Sequence, residues 1–164
     1  MWSARRSQAL ARAATWIEER NAEGEALLGW LNATVTLSNQ KGFDGNQIIR
    51  DLADALRQLL ADAKAEVAHL KMTLEPEDAG LGDLAVINLV RNDFVPELSQ
   101  ELTDWLDAGK LIINCRAEGS PDTLNAALNA ALTEVGKQHP QLFLRLEHLE
   151  HFRPGKPQPT HRDA

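Results

Sequence analysis

Three groups of residues in this 164-residue chain have types and spacings that chemistry can use. The first is a pair of loops, "SNQKGFDG" (38–45) and "RAEGSP" (116–121), each placed between an expected strand and an expected helix. Helix N-terminal amides beside Lys41, or beside Arg116 and Ser120, form a cradle that can hold an anion. If the two strand–helix units are built alike, both loops lie at one end of the sheet. The second group is His148 and His151, in H-x-x-H spacing, which on a helix would share a face and suit a metal. The third is the closing stretch "HFRPGKPQPTHRDA". There Arg153, Lys156 and Arg162 sit on a backbone stiffened by Pro154, Pro157 and Pro159.

Each group has a plainer reading. Ordinary helix capping explains Ser120 and the residues around Lys41. His148 and His151 fall in a stretch that reads as a strand, where residues three apart face opposite ways. A proline-rich chain end is most simply solvated. His69 and Cys115 lie in expected strands and read as structural, and His139 precedes Pro140 in a loop. Glu75, Glu77 and Asp78 crowd one hairpin loop, where solvation is the default. No phosphate loop of the G-x-x-x-x-G-K-S/T type occurs, and neither G-x-S-x-G, H-E-x-x-H nor a cysteine pair is found. These residues assign no catalytic group, metal ligand or cofactor.

Bulk composition narrows the class. Hydrophobic residues make up 43% of the chain and charged residues 25%, a globular balance. The formal net charge of -7 argues against general nucleic-acid binding, which needs a basic face. No apolar run is long enough to span a bilayer, and no signal peptide is legible. One cysteine precludes an internal disulfide and fits a reducing, cytoplasmic setting.

The elements that must position these residues follow from periodicity. Residues 3–22 read as a helix with a narrow stripe of Leu10, Ala13, Ala14 and Ile17. Residues 29–38 read as a strand. A helix follows from Asp44 to about Ala65, with Gln47 as capping-box partner and Phe43 stapled to Ile48. Residues 67–75 and 84–91 read as an antiparallel hairpin. Residues 92–109 offer Leu98, Leu102, Trp105 and Leu106 at helical spacing, but Pro96 and "DAGK" favour an edge strand or extended loop turning at "DAG". A strand over 110–120, a helix capped by Ser120 and ended by Gly136, and a strand over 142–152 complete the order. Leu149 breaks the alternation of that last strand and predicts a bulge or a strand end near His148. The expectation is an α+β domain: a ferredoxin-like or split β-α-β antiparallel sheet of about five strands, two helices on one face and an N-terminal helix. Its boundaries fall at 1–26 for the N-terminal helix and linker, 27–152 for the domain and 153–164 for the tail.

"AHLKMTLE", "LAVINLVRND", "GKLIINCRAEGSPDTLNAAL" and "FRPGKPQPTHR" together resemble the C-terminal portion of CobW-type GTPases, a family of cobalamin-synthesis proteins and metal-insertion chaperones. The resemblance covers roughly residues 29–162. It implies a non-catalytic accessory domain that docks on a GTPase domain or a client protein. The family's P-loop and Cys-x-Cys-Cys are not in this chain, so no nucleotide or metal residue carries over. GTP hydrolysis would belong to another segment or partner. The alternative is a stand-alone sensor of small ligands or anions using Lys41, Arg116 and Ser120.

Overall fold

Asp44 starts the first helix. Its carboxylate accepts from the Gln47 backbone N–H at 3.3 Å, and helix α1 runs over Gly45–Asp62. The return half of the expected capping box is replaced: the Gln47 side chain donates to Asp51 instead, at 2.8 Å. The helix stops before Ala65 because Lys64 takes a left-handed φ of 57°. Ala65 N–H then bonds the Leu60 carbonyl at 2.8 Å, closing the last turn. Ser120 caps the second helix, α2 (Pro121–Gln138), accepting from Thr123 N–H at 3.1 Å. Gly136 does not end it. The helix runs on to Gln138 and stops at His139, where the following Pro140 disfavours helical backbone.

The structure is a computed structural model describing residues 28–78 and 82–154. The expected helix over 3–22 lies outside the described residues. The strands are β1 (Leu28–Phe43), β2 (Val67–Pro76), β3 (Ala85–Leu89), β4 (Glu97–Gln100), β5 (Leu106–Glu118) and β6 (Phe143–Phe152). They form one antiparallel sheet in the order β4-β3-β2-β5-β1-β6. The inner order, with α1 joining β1 to β2 and α2 joining β5 to β6, is consistent with a split β-α-β arrangement. The sheet has six strands and not about five, because residues 92–109 contribute the short edge strand β4 and then the first part of β5. "DAG" is not a turn. Ala108 and Gly109 pair with Ser38 and Leu37 inside the sheet. Glycine fits at 109 because a Cβ there would stand 3.0 Å from the Glu75 carbonyl oxygen.

Alternation along the strands separates two faces. Leu31, Ala33, Val35 and Leu37 of β1 point inward with Leu70, Met72 and Leu74 of β2 and Leu111, Ile113 and Ala117 of β5. Ile49, Leu52, Leu56 and Leu60 of α1, and Leu124, Leu128, Ala131 and Val135 of α2, close over them. No charged or polar residue among those described is buried in this core. Each large aliphatic side chain there contributes roughly 1.5–3 kcal/mol of burial. The bulge expected near His148 is present. Thr34 pairs with His148 and Val35 with Leu146, so Glu147 is the extra residue.

Candidate functional site

The sheet face away from the helices is uncovered by any described element. Its residues fall in rows across the strands. Next to the start of β1 the row reads His69 (β2), Arg116 (β5), Trp30 (β1), Phe152 (β6). The next is Lys71, Asn114, Asn32, Glu150, followed by Thr73, Ile112, Thr34, His148, and then Glu75, Lys110, Thr36, Arg145. These residues share a face because they alternate with the buried set.

The first row holds a stacked trio of side chains. The Arg116 guanidinium lies 4.0 Å from the Trp30 ring centroid, a cation–π stack. Phe152 flanks the indole from the other side, with centroids 5.8 Å apart and planes tilted by 47°. Trp30 Nε1 is out of solvent and has no hydrogen-bond partner among the described residues. A cleft of about 310 Å³ opens beside this row, lined by Trp30, Asn32, His69, Lys71, Asn114 and Arg116. Toward the centre of the face Ile112 is 37% exposed between two threonines. The face is balanced in charge: Lys71, Lys110, Arg116 and Arg145 stand among Glu75, Glu118, Glu147 and Glu150. Arg145 Nε lies 3.3 Å from Glu147, and Thr36 donates to Glu147 at 3.0 Å.

A second cleft, of about 440 Å³, sits at one corner of the domain, where β1 enters α1 and α2 leaves for β6. Phe43, Trp105, Asn39 and His139 are among its walls. Behind it Asp51 accepts from His139 Nε2 at 2.8 Å and from Gln47, so a carboxylate orients the imidazole. Trp105 is 69% exposed at its mouth.

The residues singled out from sequence are dispersed. Lys41 belongs to the irregular end of β1 and not to a loop; its backbone N–H donates to Asn39 at 3.0 Å. Arg116 pairs with Trp30 at the opposite end of the same strand, about 35 Å away by strand rise. The two loops therefore do not share one end of the sheet. β1 and β5 are antiparallel neighbours, so the helices that follow them start at opposite ends. The Ser120 hydroxyl is engaged by Thr123 N–H and lies 2.8 Å from Thr123 Oγ1, which is capping. Arg153 is exposed just past β6, and Lys156 and Arg162 lie outside the described residues. His148 pairs with Thr34 on the open face and His151 with Leu31 on the helix face, as a strand requires. Among the described residues no group of three or more His, Cys, Asp or Glu is placed to hold a metal. No helix among them is long and apolar enough to cross a membrane. Cys115 is buried, and desolvation pushes its thiol up to about 12.

The Asp51–His139 pair escaped sequence reading because its members are 88 residues apart. Trp30 left a signal: it occupies a polar-parity position in "GWLNATVTLS", where Asn32, Thr34 and Thr36 follow at every second residue.

No family model and no curated protein matches the sequence. Among solved structures the chain is similar to a hydantoinase/carbamoylase family amidase from Burkholderia ambifaria, with 11% identity and a TM-score of 0.40, over 75% of this chain and 28% of that one. It is also similar to AtUAH, solved in complex with glyoxylate, with 10% identity and a TM-score of 0.38, over 79% of this chain and 29% of that one. The chain thus spans less than a third of either protein, and likeness at this level carries no conclusion about activity.

Proposed function

We propose that this chain is a non-catalytic accessory domain that docks through its open sheet face on a GTPase domain or client protein, in the manner implied by its resemblance to the C-terminal portion of CobW-type GTPases. The observation that carries the reading is the Arg116–Trp30–Phe152 row on an uncovered face. Tryptophan and arginine are enriched among the residues that carry most binding energy at protein interfaces, and the stack on Trp30 holds the Arg116 guanidinium in place. The mixed charges of the face suit a protein surface better than a polyanion. GTP binding and hydrolysis then belong to the partner. The test is an equilibrium titration of a CobW-type GTPase domain with the full chain. Arg116→Ala should weaken association about tenfold or more by removing the stack on Trp30. Absence of association at micromolar concentrations would contradict the reading.

A second reading rests on the Asp51–His139 pair. The corner cleft, with its aromatic walls, would take a small planar polar ligand, sensed and not transformed. A thermal-shift screen decides it: hits that vanish in His139→Ala support the cleft, and hits that persist reject it.

A further inference from the structure

The two edges of the sheet are built differently. β4 is four residues long and follows Pro96, two devices that discourage pairing with another chain. β6 is ten residues long, with neither proline nor lysine, and no described strand pairs with its outer side. Phe143 and Phe152 mark its two ends, 59% and 38% exposed.

The sequence of β6, "FLRLEHLEHF", is complementary to itself when reversed. Set antiparallel to a second copy, Phe143 meets Phe152, Leu144 meets His151, Arg145 meets Glu150, Leu146 meets Leu149, and Glu147 meets His148. Aromatic ends meet aromatic ends, and every acid meets a basic side chain. Moving the register by two residues destroys this match, setting Arg145 against His148 or Phe152.

The bulge is what makes the register feasible. Residues opposed across a ladder point to the same side of the sheet. Two identical regular strands related by a two-fold axis therefore pair odd numbers with odd and even with even. Arg145 opposite Glu150 breaks that rule. In β6 the extra residue Glu147 shifts the alternation at the midpoint. Phe143 and Arg145 face the open side before it, and His148, Glu150 and Phe152 face the same side after it. Every pair named above then joins residues on one face, and the two-fold axis passes beside the bulge.

We propose that the outer edge of β6 is a self-association site at which a second copy of this chain pairs antiparallel, Arg145 opposite Glu150, to form a continuous twelve-stranded sheet. Main-chain bonds supply the attraction and the charge ladder fixes the register. This surface is the sheet edge, distinct from the open face assigned to a partner, so either assignment can fail without the other.

Sedimentation equilibrium of the full chain over a range of micromolar concentrations tests it, with thermal melts to verify folding. Wild type should dimerise. Arg145→Glu and Glu150→Arg each turn two attractive pairs repulsive across the dyad, and each should weaken the dimer roughly tenfold or more. The double variant restores both pairs and should recover wild-type association to within about threefold. If one single variant fails to fold, the other single variant and the double variant still decide. Monomeric wild type, singles that dimerise as wild type does, or a folded double variant that stays dissociated would each overturn the proposal.

Discussion

Cys115 shows how a single side chain reports on the core. Its neighbours in β5 alternate between buried Ile113 and Ala117 and exposed Asn114 and Arg116, so the thiol points to the helix face. Burial raises its pKa from 9.0 to about 12. The folded value exceeds the unfolded one, so the associated stability is complete below about pH 9 and is lost as pH rises toward 12. Over that window wild type should lose roughly 1.4 kcal/mol per pH unit relative to Cys115→Ala. Denaturation midpoints at stepped pH measure it; parallel curves for the two proteins would place the thiol in solvent. At neutral pH the native protein should react with iodoacetamide far more slowly than the urea-unfolded chain. Asp51 and His139 are each about a third exposed or less, and Asp51 also accepts from Gln47. Screening by the remaining solvent keeps that pair to about 1 kcal/mol or less, so Asp51→Asn should lower the melting temperature by no more than about 2–5 °C.

At the scale of elements, α1 closes over the sheet with a long buried stripe. Leu56 is 1% exposed and packs in the stripe that closes over the sheet. Leu56→Ala should cost about 2–5 kcal/mol, read as a lower denaturation midpoint with an unchanged slope. Gly29 is constrained for another reason: a Cβ there would lie 2.6 Å from the Gly119 carbonyl oxygen, a backbone atom that cannot swing aside. Gly29→Ala should therefore destabilise by about 1–3 kcal/mol in the same assay. Both helices, the β2–β3 hairpin and the bulge at Glu147 were legible in the sequence, because caps, alternation and its interruption are local signals. An edge strand within 92–109 was one of the alternatives open from sequence, and β4 is that edge; its bounds and the early start of β5 were not legible. "LDAG" carries turn residues, and only pairing with β1 and packing against Leu74 and Glu75 make it a strand. The two loops do not share one end of the sheet for a topological reason: no local pattern says which strands are neighbours, and antiparallel neighbours send their loops apart.

For the molecule as a whole, two apolar helix stripes and one sheet face hold the buried aliphatic residues, and the other face carries Trp30, Val86, Ile112, Phe143 and Phe152 among charged and small polar side chains. That division was legible as alternation, but which face would carry the aromatic row depended on strand order. The central claim is that this face meets a protein partner. Hydroxyl-radical footprinting of the chain with a CobW-type GTPase domain addresses it most directly, since Trp30 and Ile112 report on the face and Trp105 on the corner cleft. The account predicts protection of Trp30 and Ile112 on complex formation, with Trp105 reacting as it does in the free chain. Protection of Trp105 alone, or none at Trp30, would contradict it.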